Sequence, residues 1–394
     1  MNQSMNYEKA LKYLKCTKCE SEDLALSQIG TQPGAIVCRG CKNEYPISRG
    51  IIVTEPSLWG MENRNGDMEV HPTFKSYSNW WLKVNKGIGY KQDIELLFKE
   101  HTGKDISFLA GKTILDAGCG GGRFLRYVSK AEASLVFAFD LGQGLLLAQE
   151  KNKSADNIYY VQGNILKPPF RNGVFAFVYS FGVLHHTPDP KKGFVALSNL
   201  SKAGGHFALY LYYRPHLTFK DWGARYGLRQ AVFFLYQEPL RVLITKLPHS
   251  LILLFSRLIY YQPRLMRILS RNIITNPLAH LLGILLPPAV DKPKESREHN
   301  VIRNYDEYST RFRFFHSQEE VLTWYQEANF NDIQIRKLSV TMIGEKQLEF
   351  CNPVSVAYYR PSIEEWETLE AKGLESSDDV APESTTGSIK HECP

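Results

Sequence analysis

The chain has 394 residues, 43% of them hydrophobic and 22% charged, with a formal net charge of +6. That apolar content supports a packed core and excludes a disordered chain, and the length leaves room for two or three structural units. The mild positive charge permits contact with nucleic acid or an anionic membrane without demanding either. The first residues, MNQSMNYEKALKYLK, lack the apolar core of a signal peptide. Two close cysteine pairs point to metal ligation in a reducing compartment, so the cytoplasm is the expected location.

Those pairs, Cys16 with Cys19 and Cys38 with Cys41, are each a C-x-x-C knuckle that can present two thiolates to one ion. The interval between them suits a zinc ribbon. Four thiolates close a tetrahedral site, which leaves no position for a reacting water and makes Zn2+ structural here. Residues 1–56 are therefore expected to form the ribbon. Residues 57–108 are expected to hold a linker and capping helices. Pro, Gly, Asn and charged residues crowd 54–71. Phe74, Tyr77, Trp80 and Trp81 then suit either a helix packed on the core or a lid over a bound ligand. Residues 90–101 form an amphipathic pattern with Ile94, Leu97 and Phe98 on one face.

A mostly apolar run at 113–117 fits a buried strand. Gly118, Cys119, Gly120, Gly121 and Gly122 follow it, and Phe124, Tyr127 and Val128 then recur at helical spacing. Strand, glycine turn and helix mark the ligand end of a doubly wound α/β domain. A dinucleotide fingerprint fails, because Arg123 stands where the third glycine is required. A phosphate loop fails on spacing too. Asp116 ends the strand and would repel a pyrophosphate, but it suits a ligand carrying an ammonium and a sulfonium, S-adenosylmethionine. Cys119 is expected to pack. Asp140 closes the next apolar run, 135–139, where an acid can accept both ribose hydroxyls. Strands are expected at 158–162 and 175–179. Ser180, Phe181 and Gly182 open the loop at the carboxyl end of the fourth strand, where ligands sit. His185 and His186 follow, suited to a general base or to shaping the loop. A helix at 191–200 and a strand at 205–213 complete a core of residues 109–213.

Residues 214–299 change character. From 219 to 290 the pattern is helical, apolar and basic, cut by Pro239, Pro248, Pro263 and Pro277. Its apolar runs are too short, or too interrupted, to span a bilayer. A helical cap walling an acceptor pocket is the preferred expectation. The alternative is a basic amphipathic surface lying on anionic membrane, a peripheral contact. Residues 300–360 are expected to supply a substrate loop and the closing part of the core. The stretch 291–313 is expected to be a polar loop whose Asn304, Tyr305, Asp306, Tyr308 and Arg311 meet the acceptor. Asp306 could orient or deprotonate a hydroxyl or amine, and Tyr308 could wall the pocket. Ser317 to Glu320 make a capping box, and its helix carries Val321, Trp324 and Tyr325. Strands are expected at 332–338 and 348–359, and the acidic tail 361–394 is expected to be disordered.

With the glycine loop, Asp140, GNILKPPF and FAFVYSFGVLHHTPDP in place, the chain resembles the class I S-adenosylmethionine-dependent methyltransferases. Within them it is similar to a bacterial-type group with an N-terminal four-cysteine zinc ribbon. The likeness is good over 108–213 and looser over 309–360. It implies a Rossmann-like α/β sheet, with Asp116, Gly118, Gly120, Gly122, Asp140, Asn164, Ile165 and Ser180 at the cofactor. Asn164 stands where the family usually has an aspartate that accepts from the adenine amino group. Lys202-Ala-Gly-Gly205 stands where members read K-P-G-G. His185, His186, Asp306 and Tyr308 are the catalytic candidates. The segment YPISRGIIV resembles the end of ribbon modules that partner tRNA and release-factor methyltransferases. The leading expectation is methyl transfer to a small molecule, lipid-like or a secondary metabolite. An RNA methyltransferase is the second, disfavoured because the basic residues alternate with Leu and Ile instead of stacking aromatics. A binding module that keeps the fold without catalysis is the third.

Overall fold

The computed structural model describes residues 7–29, 32–57, 72–84, 93–132, 134–213, 233–292, 295–336, 340–347 and 356–358. The chain divides into two units, one of residues 1–74, 90–214 and 313–394, the other of 75–89 and 215–312.

The first unit is built on one sheet. Its N-terminal strands are β1 (Leu24–Ile29), β2 (Gln32–Cys38), β3 (Glu44–Ser48) and β4 (Ile51–Val53). The central strands are β5 (Thr113–Ala117), β6 (Leu135–Asp140), β7 (Ile158–Gln162), β8 (Phe175–Phe181) and β9 (Ser201–Leu211). The last are β10 (Phe330–Arg336), β11 (Val340–Lys346) and β12 (Val356–Tyr358). The order across the sheet is β1-β2-β3-β4-β7-β6-β5-β8-β9-β11-β10-β12. Strands β7, β6, β5, β8 and β9 run parallel, while β11 is antiparallel to both β9 and β10.

The central strands read as unbroken apolar runs because both faces of a parallel sheet are covered. Side chains alternate between those faces. Leu115, Phe137 and Phe139 enter one core with Phe170, Phe194 and Phe207. Ile114, Val136 and Ala138 enter the other with Phe98, Leu125 and Tyr179. Helix α1 (Tyr7–Leu11) joins the first core, and α3 (Ile94–Thr102) the second, after α2 (Pro72–Asn79). The crossovers carry α4 (Leu125–Val128), α5 (Gly144–Lys151) and α6 (Pro190–Ser198). Asp189 caps α6 by accepting from the Lys192 N–H at 2.9 Å, with Pro190 in its first turn.

The N-terminal strands continue the sheet. Strand β4 pairs in parallel with β7, from Ile51 beside Tyr160 to Val53 beside Gln162. Thr54 Oγ1 donates to the Gln162 carbonyl at 2.7 Å, and Arg171 donates to the carbonyls of Leu14 and Glu22 at 2.9 and 2.8 Å. Strand β4 thus covers an edge of β7 that would otherwise expose unpaired backbone.

The second unit is helical: α7 (Glu238–Ile244), α8 (His249–Ile259), α9 (Gln262–Leu269), α10 (Asn276–Leu285) and α11 (Arg297–Ser309). The structure corrects the loop expected at 291–313, because α11 fills most of it and runs across the expected boundary at 299–300. Its buried side includes Asn300 and Asn304, which hid the apolar period. Asn304 accepts from the Val290 N–H at 2.8 Å and donates to the Val290 carbonyl at 3.0 Å. Asn300 does the same for Lys292, at 2.7 and 3.1 Å. Two side-chain amides thereby satisfy the backbone of Val290 and Lys292, which join no strand among the described residues. Trp80 is buried and meets Trp81 edge-on at 4.4 Å, and Ser76 donates to the Ser309 carbonyl at 2.8 Å.

Back in the first unit, Ser317 caps α12 (Gln318–Glu327) by accepting from the Glu320 N–H at 3.2 Å. Three strands close the sheet where two were expected. β11 occupies 340–346, ahead of the range given to the second strand, and 356–358 alone of that range is described, as β12. The Tyr325 hydroxyl sits at 3.2 Å from the Phe207 carbonyl and 3.0 Å from that of Met342, joining α12 to the β9–β11 pairing. The tail at 361–394 lies outside the described residues.

Candidate functional site

After β5 the chain builds β6 and β7 on one side, then returns to lay β8 on the other. The loops leaving β5 and β8 therefore part above the strand ends, and that divergence makes the ligand crevice of such sheets. Gly118 has φ +88°, and a Cβ there would lie 2.4 Å from a methyl of Val183 in the β8 loop. Gly122 has φ +76°, and its Cβ would meet that of Ala148 on α5 at 2.9 Å. Glycine is thus required both for the left-handed backbone and for the close approach of both neighbours. The N–H groups of Gly118 and Cys119 donate to the Phe139 carbonyl at 2.7 and 3.1 Å, fixing the turn against β6.

Two acids converge on this turn. Asp140 Oδ2 accepts from the Gly120 N–H at 2.8 Å and Oδ1 from the Gly142 N–H at 2.7 Å. Burial of the carboxyl raises its pKa, and these two donors oppose the rise. Asp116 is 4% exposed. Burial pushes its carboxyl up to about 8, the Tyr179 hydroxyl resists that shift, and the Asp140 charge adds to it. Asp116 Oδ2 and the Tyr179 hydroxyl are both buried without a completed hydrogen bond. A buried carboxyl oxygen without a completed hydrogen bond costs free energy, and a cationic ligand would favour its ionised form. The residues present fit the amino-acid end of S-adenosylmethionine on that ground. Asp140 keeps part of its surface open, as a ribose contact needs.

The remaining cofactor candidates differ in how their polar atoms are used. Asn164 Oδ1 accepts from the Leu166 N–H at 2.9 Å, forming a turn of its own. Ile165 beside it is buried. Ser180 is fully buried and donates to the Ala117 carbonyl at 2.8 Å, which ties the ends of β8 and β5 together. Burial raises the Cys119 thiol, and the nearby acids add to the shift, so it packs as a neutral group.

His185 and His186 form a buried helical turn with Leu184. The His185 ring stacks on Tyr212 with centroids 3.7 Å apart, and its Nδ1 accepts from the Tyr212 N–H at 3.2 Å. Its carbonyl accepts from the Phe314 N–H at 3.0 Å. Burial holds its pKa well below the usual value, with His186 and His316 adding to the depression. This neutral ring joins three chain segments. Asp306 and Tyr308 lie on α11 of the helical unit. Asp306 is half-buried, while Tyr308 is buried and its hydroxyl donates to the Pro288 carbonyl. The Tyr305 hydroxyl lies 2.7 Å from His249 Nδ1, and Arg311 stacks near the Phe312 ring at 5.6 Å.

His101 was missed. It ends the amphipathic pattern of α3, on the face of Ile94, Leu97 and Phe98, and carries no motif of its own. Its ring packs against Phe181 at 4.7 Å, Tyr210 at 5.1 Å and Phe124 at 6.1 Å. Those residues end β8, run along β9 and follow the glycine turn. Nδ1 is 2.7 Å from the Leu97 carbonyl, which fixes the Nδ1–H tautomer and leaves Nε2 as the acceptor atom. Burial lowers its pKa to about 4, helped by the charges of Arg123 and Arg336. A neutral imidazole with one fixed proton and one open lone pair is the form a proton acceptor needs.

The four ribbon cysteines also converge. Their sulfurs all lie within 4.8 Å of one another, with Cys16 to Cys41 at 3.5 Å and Cys19 to Cys38 at 3.6 Å. A tetrahedron of Zn–S bonds near 2.3 Å has edges of about 3.8 Å, so the thiols fit such an ion. The Tyr45 hydroxyl lies 3.1 Å from the Cys16 sulfur and accepts from the Thr17 N–H at 2.8 Å, orienting the first knuckle.

A family model described as a methyltransferase domain matches residues 115–209. The chain therefore carries a methyltransferase domain. The match runs from β5 through β9 and takes in the glycine turn, both acids and the paired histidines. The fold is the Rossmann-like sheet of a class I methyltransferase. A demethylmenaquinone methyltransferase of Staphylococcus aureus is 28% identical over 148 residues, 36% of this chain and 60% of that protein. The chain thus spans about 60% of the length of the curated relatives it matches. Among solved structures, an S-adenosylmethionine-dependent methyltransferase of Aquifex aeolicus is 24% identical, covering 34% of this chain and 74% of that one, with TM-score 0.29. Another from Mesorhizobium loti is 28% identical over 26% of this chain and 48% of that one, with TM-score 0.25.

Proposed function

We propose that this chain is an S-adenosylmethionine-dependent methyltransferase acting on a small, flat, largely apolar acceptor that loses a proton during transfer. The observation that carries it is the glycine turn backed by two acids, one of them with an unpaired buried oxygen. S-adenosylmethionine supplies a methyl group already activated on a sulfonium, so the protein has to align, exclude water and accept a proton.

Asp116 and the turn at Gly118, Gly120 and Gly122 hold the amino-acid end. Asp140, oriented by two N–H groups, takes the ribose hydroxyls, and Asn164 with Ile165 borders the adenine. Ser180 keeps the floor of the crevice rigid through Ala117. His101 Nε2 receives the acceptor proton, and Phe124, Phe181 and Tyr210 give a flat molecule aromatic faces to rest on. His185 shapes the loop, since its Nδ1 is already occupied. The Staphylococcus relative, named for a quinone-type acceptor, supports a small ring substrate. Zn2+ in the four-cysteine cluster holds the ribbon together and takes no part in transfer.

The test is incubation of the purified protein with methyl-labelled S-adenosylmethionine and a fractionated cell extract. Label is expected in the organic-soluble fraction. Label in RNA or in protein would overturn the small-molecule acceptor. No label anywhere, together with no calorimetric binding of S-adenosylmethionine, would remove the enzyme assignment.

A further inference from the structure

From Pro239 to Val290 the sequence contains six Lys or Arg and no Asp or Glu. In the helical unit this stretch presents its apolar residues outward. Sixteen of the nineteen large exposed hydrophobic side chains among the described residues fall between 235 and 285, so the exposure is local and not a general property of the surface. Helix α8 shows the pattern clearly. Its inner stripe is Ile252, Ser256 and Ile259, and its outer stripe is Leu251, Leu254 and Leu258, the last 63% exposed. Helix α9 buries no residue. The turn that follows points Ile273 and Ile274 into solvent at 89% and 83% exposure, and α10 continues with exposed Leu278, Leu281 and Leu285.

An apolar helical hairpin that builds almost no core of its own needs another apolar phase. The charges say which. Lys246, Arg257, Arg267 and Arg271 are exposed beside these residues. The nearby carboxylate, Asp291, is 3% exposed and lies under Arg264 and Arg267, at 3.5 and 2.9 Å. The large side chains facing outward are aliphatic groups, cations and the interfacial ring of Tyr261. No helix among the described residues is long and apolar enough to cross a membrane.

We infer that this face, α8 to α10 with the turn at 271–274, docks the protein onto the surface of a bilayer containing anionic phospholipid. Ile273 and Ile274 enter the acyl boundary while the arginines meet headgroup phosphates. This inference concerns the helical unit and does not rest on the proposed reaction.

Flotation of the full chain with phosphatidylcholine vesicles, with and without phosphatidylglycerol, tests it. Binding is expected only with phosphatidylglycerol, and it should weaken as salt rises. Each cation near the surface contributes about fivefold to partitioning, so Arg257→Gln with Arg271→Gln should weaken binding roughly 25-fold. Ile273→Glu with Ile274→Glu should abolish it. Both double variants should keep the wild-type circular dichroism spectrum and S-adenosylmethionine affinity, since the altered side chains are exposed. No binding to either vesicle overturns the inference, as does equal binding to both. Self-association in the absence of lipid, removed by the isoleucine variant, would instead assign the face to a second copy of the chain.

Discussion

Asp116 is where the chemistry of the site is most exposed to measurement. Burial keeps it protonated in the ligand-free protein up to about pH 8, whereas an unfolded chain ionises it near 3.8. The folded state therefore binds the extra proton between those values, and this group's burial reduces stability progressively as pH rises through that window. A cationic ligand reverses the preference. Binding of S-adenosylmethionine at pH 7 should release up to about one proton, visible by calorimetry in buffers of different ionisation heat. Asp116→Asn should remove that release; an unchanged release would clear Asp116 of the role. At His101, Gln preserves size and removes the base. His101→Gln should lower kcat by roughly 100-fold while leaving S-adenosylmethionine affinity unchanged. In the wild type the rate should be flat across neutral pH and fall only near the lowered pKa of about 4. Equal loss of kcat and cofactor affinity would mark His101 as packing.

At the scale of elements, the turn between β5 and α4 tolerates least. Gly118→Ala places a Cβ against Val183 in left-handed backbone, and should cost about 2–3 kcal/mol in chemical denaturation along with cofactor binding. Within the helical unit, Asn304→Ala leaves the Val290 N–H and carbonyl unsatisfied, with an expected loss of about 2 kcal/mol. A neutral result there would mean that water replaces the amide. The central elements were legible because a buried parallel strand writes its own signal. Residues 113–117 and 158–162 are mostly apolar runs, and both became strands over those limits. Helix α11 was illegible for the opposite reason. Much of what it buries is polar, and its two amides are satisfied by residues 290–292, a pairing that local periodicity does not contain.

For the whole molecule, the ribbon is the joint worth testing. Because β4 extends the edge of β7, an ion held by the four cysteines would support a strand of the central sheet as well as its own knuckles. A strong chelator should lower the melting temperature of the sheet-containing unit and weaken S-adenosylmethionine binding, with the transition of the helical unit unmoved. If cofactor binding survives chelation intact, the ribbon stabilises only itself. The basic helical unit shows the same dependence on context. Its sequence favoured a cap over a membrane-lying surface, although both need apolar stripes and tolerate arginine. Exposure of Ile273, Ile274 and the outer leucines of α8 is what the inferred membrane-lying surface rests on, and flotation tests it.

By itself the sequence determined the sheet's central strands, the glycine turn with its two acids, and four cysteines spaced for one ion. Each is a local pattern whose physical cause lies within a few residues or repeats at fixed spacing. Only the tertiary structure decided that β4 pairs with β7, that Ser180 donates to Ala117 and His185 Nδ1 accepts from Tyr212, and that His101 reaches the strand ends with Nε2 as its acceptor atom. Those outcomes depend on contacts between segments far apart in the chain, where nearest neighbours in sequence carry no information about which polar atoms will be satisfied.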